Sequence, residues 1–261
     1  TALRADALQG ARIGVLRSPS RDTTRRDSTQ RDSTQRDSTQ RDSLVGYQQV
    51  RTVIDAAIEQ LKALGASVVD SVSLPQRDLG TAMGNDYETE QATDAYFRDH
   101  PNAPVKTLKE ILLSGKVNPW RARGMIPLVG KTTNDPGYLR VMQSREALRV
   151  SVLQLMADQK LDAIVYATYD HPPTLIAPDV LTNPRPADGY GRGDNRGLSP
   201  AIGFPALTVP AGFTPDALPV GLEFLGRPFS EAMLLGYGFA FEQATHHRRA
   251  PPGTPTLVRR P

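Results

Sequence analysis

The fold is decided by residues 198–257, LSPAIGFPALTVPAGFTPDALPVGLEFLGRPFSEAMLLGYGFAFEQATHHRRAPPGTPTL. Two apolar runs, at residues 206–209 and 220–225, are bounded by Pro and Gly, and this pattern predicts two strands. The turn between them contains Gly212 and Pro215. An amphipathic run follows and predicts a helix, so the stretch forms a packed unit of strand, turn, strand and helix.

The pieces of this stretch resemble, in their order and spacing, the carboxy-terminal part of the amidase signature family: GFPALTVPAGF, then LPVGLEFLGRPFSEAMLL, then FEQAT and a closing PP. The resemblance implies an α/β fold, with a mixed β-sheet covered by helices. It also implies hydrolysis of a small-molecule carboxamide through a triad of serine, cis-serine and lysine. On this resemblance, residues 1–261 are the carboxy-terminal half of one amidase signature domain, and the fold is incomplete.

Two apolar runs upstream have the character of buried strands. ARIGVL occupies residues 11–16, and LDAIVY at residues 161–166 is typical of a central strand covered on both faces. Apolar residues recur at helical spacing over residues 50–64, Gly65 stops that helix, and a strand follows over residues 68–72. These predict a β-α-β unit, and we expect the closing stretch to join both upstream strands in a common sheet.

The last helix carries start and packing signals. Ser230 is a plausible N-cap, and Glu231 is favourably placed in the first turn. Gly236 and Gly238 each cost a helix about 1 kcal/mol relative to Ala. We therefore expect another backbone to pack closely against the neighbouring helix face, which is formed by Leu234, Tyr237, Phe241 and Thr245.

Two further helix starts are marked by capping residues. Thr107 and Glu110 have capping-box spacing ahead of an apolar run. Asn134 or Asp135, followed by Pro136, offers a cap and a first-turn proline for a long helix.

Residues 85–98 form an acidic helical segment that contains Asp86, Glu88, Glu90 and Asp94. A metal cluster is one interpretation. Hard cations need several oxygens that converge from a defined loop, whereas these carboxylates spread around a helix. The pattern favours a solvated helix face.

A tandem repeat precedes the first helix. RDSTQ occurs at residues 26–30, 31–35 and 36–40, and a fourth copy begins at Arg41. The unit has no apolar residue to bury, so we expect a low-complexity solvated loop or frayed helix at about 21–43. A phosphorylated or partner-binding arm is the alternative, because Ser and Thr accompany Arg in each copy.

Composition excludes several classes of function. The net charge of +3 is not gathered into a basic stripe with stacking aromatics, so we expect no nucleic-acid partner. No apolar run approaches the roughly 20 residues of a membrane span. The absence of cysteine excludes disulfides and thiolate zinc sites, and it is compatible with the cytosol or the periplasm.

The residues for amide hydrolysis are missing from this sequence. No two serines are adjacent and no serine has glycine on both sides, so the glycine- and serine-rich loop of the resembled family is absent. Ser199 is interpreted as a strand-entry residue, and none of the four histidines has metal-ligand spacing. We therefore expect no catalytic residue, metal or cofactor in this chain, and we expect an amino-terminal segment to supply the lysine and both serines.

A long loop rich in Pro, Gly and Asp occupies residues 171–198. Loops of this length are usually functional or disordered. Because the resembled family places substrate-facing groups just before the GFPALTVP strand, the resemblance makes Asp194 and Asn195 candidate substrate-binding residues at the pocket rim.

Two other functions are compatible with the sequence. A non-catalytic ligand-binding protein would keep the scaffold without the chemistry. An amidotransferase-type component would work with partner proteins, although the long loop before residue 198 fits a stand-alone hydrolase better.

Overall fold

The computed structural model describes residues 2–17, 36–74, 79–173, 178, 179, 182, 195–251 and 253, with the backbone alone for residues 36–44 and 120. The described strands form one sheet, and their bounds are β1 Arg12–Leu16, β2 Ser67–Val72, β3 Ala163–Ala167, β4 Ala206–Phe213 and β5 Pro219–Leu225. The described helices are α1 Arg36–Ala63, α2 Leu79–Ala82, α3 Thr89–Asp99, α4 Leu108–Leu113, α5 Pro119–Met125, α6 Pro136–Asp158, α7 Leu198–Ile202 and α8 Glu231–Thr245, with a 3-10 turn at Ile126–Leu128.

The strand order across the sheet is β2-β1-β3-β5-β4. β1 is parallel to both β2 and β3, whereas β5 is antiparallel to β3 and to β4. The fold is therefore α/β with a mixed sheet, as the sequence predicted. The two strands of the closing stretch lie in the same sheet as the strands at residues 11–16 and 161–166, which confirms the expected pairing.

A hydrophobic core lies on each face of the sheet. On one face, α1 and α8 cover the strands, and the fully buried side chains include Leu61, Phe224 and Phe241. On the other face, α6 and α7 pack around Met156 and Tyr166. Among the described helices, none combines the length and the apolar character needed to cross a membrane.

The predicted β-α-β unit is formed by β1, α1 and β2. Gly65 ends the unit's helix with a φ of +89°, a conformation that suits glycine. Beyond the end of β1, Arg17 bonds to Asp70 on β2 and to Asp55 on α1, so one guanidinium connects all three elements. These ion pairs lower the pKa of Asp70.

At the carboxyl end of the predicted segment at about 21–43, α1 begins at Arg36 and includes the third RDSTQ copy, so the structure agrees there with the helix alternative and not with the loop. The repeat contains neither Pro nor Gly, and an amphipathic helix that starts at Val50 can propagate backwards through it. The first two copies lie outside the described residues.

Of the two predicted side-chain caps, that of α4 is formed and that of α6 is not. The Thr107 hydroxyl accepts the backbone N–H of Glu110 at 3.1 Å, which confirms the predicted cap of α4. α6 begins at Pro136 as predicted, but the Asp135 side chain makes no cap bond to the helix and accepts instead from the N–H of Thr132.

The predicted N-cap of α8 is not formed, whereas the predicted close packing against this helix is present. The Ser230 hydroxyl does not accept an N–H of the helix and donates instead to the carbonyl of Arg227 at 2.7 Å. A Cβ at Gly236 would lie 2.8 Å from the carbonyl oxygen of Ala2, which confirms close backbone packing. At Gly238 the close neighbours are β4 side chains instead.

The acidic side chains in α3 and in the residues just before it bind partners on neighbouring elements. The prediction of a solvated helix face is therefore only partly right. Asp86 pairs with Lys131 at 2.8 Å, and Glu88 lies 3.3 Å from the guanidinium of Arg145. Glu90 accepts the backbone N–H of residue 130, and Asp94 accepts that of residue 108. Arg145 lowers the pKa of Glu88 by hydrogen bonding to its carboxylate.

Candidate functional site

Strands β1, β3 and β4 run in the same direction, so their carboxyl ends meet at one edge of the sheet. In open α/β sheets this edge is where ligands bind. Several polar side chains of the described residues gather there, and they define the candidate site.

Asn195 is one of the two predicted site residues, and it lies at this edge. Its side chain is buried, and Nδ2 donates to the carbonyl of Leu16, the last residue of β1, at 3.0 Å. The guanidinium of Arg196 lies 4.6 Å from the ring centroid of Tyr169 and so connects this loop to the segment after β3. Asp194 lies outside the described residues. The role of the pair in binding substrate stays a prediction.

Asp170 and His171 form a buried pair just after β3. Each residue is 8% exposed, and Nδ1 of His171 lies 2.6 Å from Oδ1 of Asp170. A carboxylate can only accept, so this contact places the imidazole proton on Nδ1. The ring of Tyr47 on α1 lies 5.5 Å from the imidazole, centroid to centroid. These contacts fix the orientation of the imidazole.

A chain of hydrogen bonds crosses β3, β5 and β4 on the face that α6 partly covers. Glu223 is buried, and its two carboxylate oxygens accept from Tyr166 at 2.8 Å and from Thr208 at 3.2 Å. Thr208 also lies 3.1 Å, oxygen to oxygen, from Thr168. Burial and the neighbouring Glu223 carboxylate raise the pKa of Tyr166. Within the described part of the chain, no cationic side chain lies within 4 Å of this carboxylate.

A cavity of about 800 Å³ opens beside these groups. It is bounded by the segment after β3, the second half of β4, the start of β5 and residues 248–251 after α8. Its wall includes Thr168, His171, Thr208 and Phe213. This volume is typical of a site for a small organic molecule.

Three of the side chains considered from the sequence as candidates for amide hydrolysis are engaged in local contacts. The sequence predicted that Ser199 enters a strand, but it lies in α7 and donates to the carbonyl of Phe204 at 2.8 Å. The ammonium of Lys106 binds two backbone carbonyls, and that of Lys131 pairs with Asp86.

A metal site is absent from the described residues, where no three carboxylate or imidazole groups lie together, and the chain has no cysteine. From the sequence, His171 was weighed only as a metal ligand, and its contact with Asp170 was missed. An Asp-His pair directly after a buried strand was the available signal. Glu223 carried a signal too, since a lone carboxylate interrupts the apolar run VGLEFL.

Comparison with known proteins identifies the fold. The family model described as Amidase matches residues 38–235. The native peptide amidase of Stenotrophomonas maltophilia superposes with a TM-score of 0.65 at 25% identity, covering 95% of this chain and 45% of that one. An amidase family protein from Bacillus anthracis gives 0.62 at 24% identity, with 95% and 41% covered.

Curated sequences give the same relationship. A probable amidase of Arabidopsis thaliana is 27% identical over 218 residues, which are 77% of this chain and 37% of that protein. A glutamyl-tRNA(Gln) amidotransferase subunit from Desulforudis audaxviator is 56% identical over 54 residues, 20% of this chain and 11% of that protein. The chain thus spans 37% to 45% of the length of the Arabidopsis, Bacillus and Stenotrophomonas proteins, all of which it matches along most of its own length.

Proposed function

The chain belongs to the amidase family, and we propose on this basis that it forms one wall of the pocket of an enzyme that hydrolyses a carboxamide C–N bond to a carboxylate and ammonia or an amine. The observation that carries the proposal is the family match over residues 38–235, which runs from α1 into α8. The cluster of polar groups and the cavity at the carboxyl edge of the sheet support it.

Amide hydrolysis requires a nucleophile, a base and donors that hold the oxyanion. We propose that a lysine and two serines come from a segment outside these 261 residues, and that residues 1–261 are the carboxy-terminal half of one amidase domain. The absence of adjacent serines and the engaged ammonium groups of Lys106 and Lys131 support this division. The 261-residue chain alone is then inactive.

In this proposal the described residues shape the pocket and leave the bond cleavage to the other segment. Asn195 lies at the rim, and we propose that it and Asp194, which is outside the described residues, bind the substrate. The bond from Asn195 to Leu16 anchors that rim to the end of β1, which favours a role in positioning the loop. Thr168 and Thr208 present hydroxyl groups along the wall of the cavity.

The test is to express the coding sequence immediately upstream of Thr1 together with this chain, either fused or in trans. Ammonia release from a panel of simple primary amides is then measured. We expect hydrolysis by the joined protein and none by the isolated chain. The control replaces the nucleophilic serine of the added segment with Ala and is expected to abolish turnover. A joined, folded protein that cleaves neither an amide nor a related ester would contradict the proposal.

A second candidate is a component of an amidotransferase, and the 56% identical segment favours it. Such a component works with partners, so its amide hydrolysis would depend on proteins that co-purify with the intact parent. Activity of the purified single polypeptide on simple amides would favour the stand-alone amidase.

A further inference from the structure

The cavity beside β3 and β4 is cationic. Its wall contains Arg248 and Arg249, and none of the described residues that line it is Asp or Glu. A smaller cavity of about 520 Å³ shares Phe213 and Arg249 with it and also lacks carboxylates in its described wall. The electrostatic potential between these walls therefore favours an anion.

Arg249 has a defined position at this cavity. Its guanidinium carbon lies 3.6 Å from the ring centroid of Phe213, the last residue of β4. Stacking on an aromatic ring holds the guanidinium plane while its N–H groups remain available at the edge. A planar fork of this kind matches the two oxygens of a carboxylate.

The arginines of this protein differ in their partners. Arg12, Arg149 and Arg227 bind backbone carbonyls, whereas others are paired with carboxylates. Arg17 pairs with Asp55 and Asp70, and Arg145 pairs with Glu88. Among the described residues, Arg249 has no carboxylate within 4 Å, and its guanidinium contacts the aromatic ring instead. The Arg249 guanidinium is held in place at a cavity wall whose described residues include no acidic group. It can therefore bind an anion from outside the described residues.

His171 lies in the same wall and is held on one side by Asp170 and on another by Tyr47. The rest of the wall is largely apolar and includes Val50, Pro210 and Val220. The cavity thus combines fixed polar groups with apolar area, which is how small-molecule sites obtain both orientation and affinity.

We propose that this cavity binds the free carboxylate of the substrate, so that the substrate class is an amide that carries a carboxylate on an apolar body. The proposal rests on the proposed function and deepens it. Arg249 is the carboxylate-binding residue.

The test uses the joined protein described above, with the nucleophilic serine of the added segment replaced by Ala so that nothing is cleaved, and two matched ligands, N-acetyl-phenylalanine and its neutral N-methylamide. Both have the same N-acetyl amide and the same apolar ring, and they differ at one end, where the first has a carboxylate and the second an uncharged amide of similar size. We expect the acid to bind about tenfold more tightly by calorimetry, a difference that a charged hydrogen bond can supply. Arg249→Ala is expected to abolish the preference, and Arg249→Lys to keep part of it.

Arg140→Ala is the matched control, because Arg140 is exposed on α6 and does not line either cavity. It is expected to leave both affinities unchanged. Equal binding of acid and methylamide, no binding of either, or an equal loss in Arg140→Ala would each overturn the proposal. Since Arg249 is exposed, its variants are expected to melt at the unchanged temperature, which verifies folding.

Failure of this proposal is distinguishable from failure of the proposed function. Binding of the acid does not require hydrolysis, so a serine-to-Ala joined protein that binds the acid, while the joined protein with its serine intact cleaves nothing, would contradict only the enzyme assignment. A joined protein that hydrolyses amides and is indifferent to a carboxylate would contradict only the inference.

Discussion

Glu223 places a carboxylate inside the packed sheet and satisfies each of its oxygens with one hydroxyl, from Tyr166 and from Thr208. Hydrogen bonds to buried charged groups are among the stronger ones, and removal of one partner leaves the charge desolvated. The stability of this arrangement therefore depends on hydroxyl groups that lie far apart in the sequence.

We predict that Tyr166→Phe lowers the free energy of unfolding by about 1.5–3 kcal/mol at neutral pH, because Glu223 loses a buried donor. The folded-state pKa of Tyr166 is raised above its ordinary 10.0, so its stabilisation is complete below pH 10 and is lost as pH rises above that value. Urea unfolding of both proteins below and above about pH 10 measures this. The variant is expected to show a smaller alkaline loss.

Tyr96→Phe is the control for this prediction, since Tyr96 is 57% exposed. It is expected to change stability within about 0.5 kcal/mol. A Tyr166→Phe protein as stable as the control would show that Glu223 is not held by the tyrosine hydroxyl.

For single residues, the sequence predicted the secondary structure in which a residue lies better than it predicted which side chains that residue contacts. The pattern around Glu223 predicted a strand, and that strand is confirmed. Its contact with Tyr166 spans 57 positions along the chain, so no local spacing could reveal it. Asp170 and His171 are adjacent, but their burial depends on Tyr47 from α1, which the local sequence does not contain.

The helix starts show how local backbone geometry decides whether a capping residue acts. Thr107 is extended, with φ −140° and ψ 160°, and its hydroxyl faces the first turn of α4. Ser230 has φ −100° and ψ 18°, and its hydroxyl turns back to Arg227. The sequence predicted both caps because residue type alone does not report the dihedral angles.

We predict that Thr107→Ala costs about 1 kcal/mol of stability, the usual value of a lost N-cap. Ser230→Ala is the matched comparison and is expected to cost less, because its hydroxyl does not satisfy an N–H of the helix. Thermal unfolding measures the totals, and amide exchange at Glu110 reports the local effect. Equal losses, with Glu110 unchanged in both variants, would contradict the prediction.

The sequence predicted which segments are strands of the sheet better than it predicted the order of those strands across the sheet. Periodicity and turn signals identified the strands, and the resemblance placed the closing stretch beside the earlier ones. The position of β5 between β3 and β4 was not predicted. One local signal exists, since β5 is almost continuously buried, as central strands are, whereas β4 alternates with exposed positions.

The adjacency of β1 and β3 has a consequence during translation. The backbone N–H of Arg12 binds the carboxylate of Asp162, which is 150 positions later in the chain. At roughly 5–20 residues per second, β1 therefore emerges from the ribosome about 8 to 30 seconds before its central neighbour. We predict that ribosome-bound chains arrested before Ala163 are cleaved by protease around residues 11–16, and that chains arrested after Leu225 are protected there. Equal protection in both would show that β1 finds another partner first. Chaperone contact with the nascent chain is expected to fall within that interval.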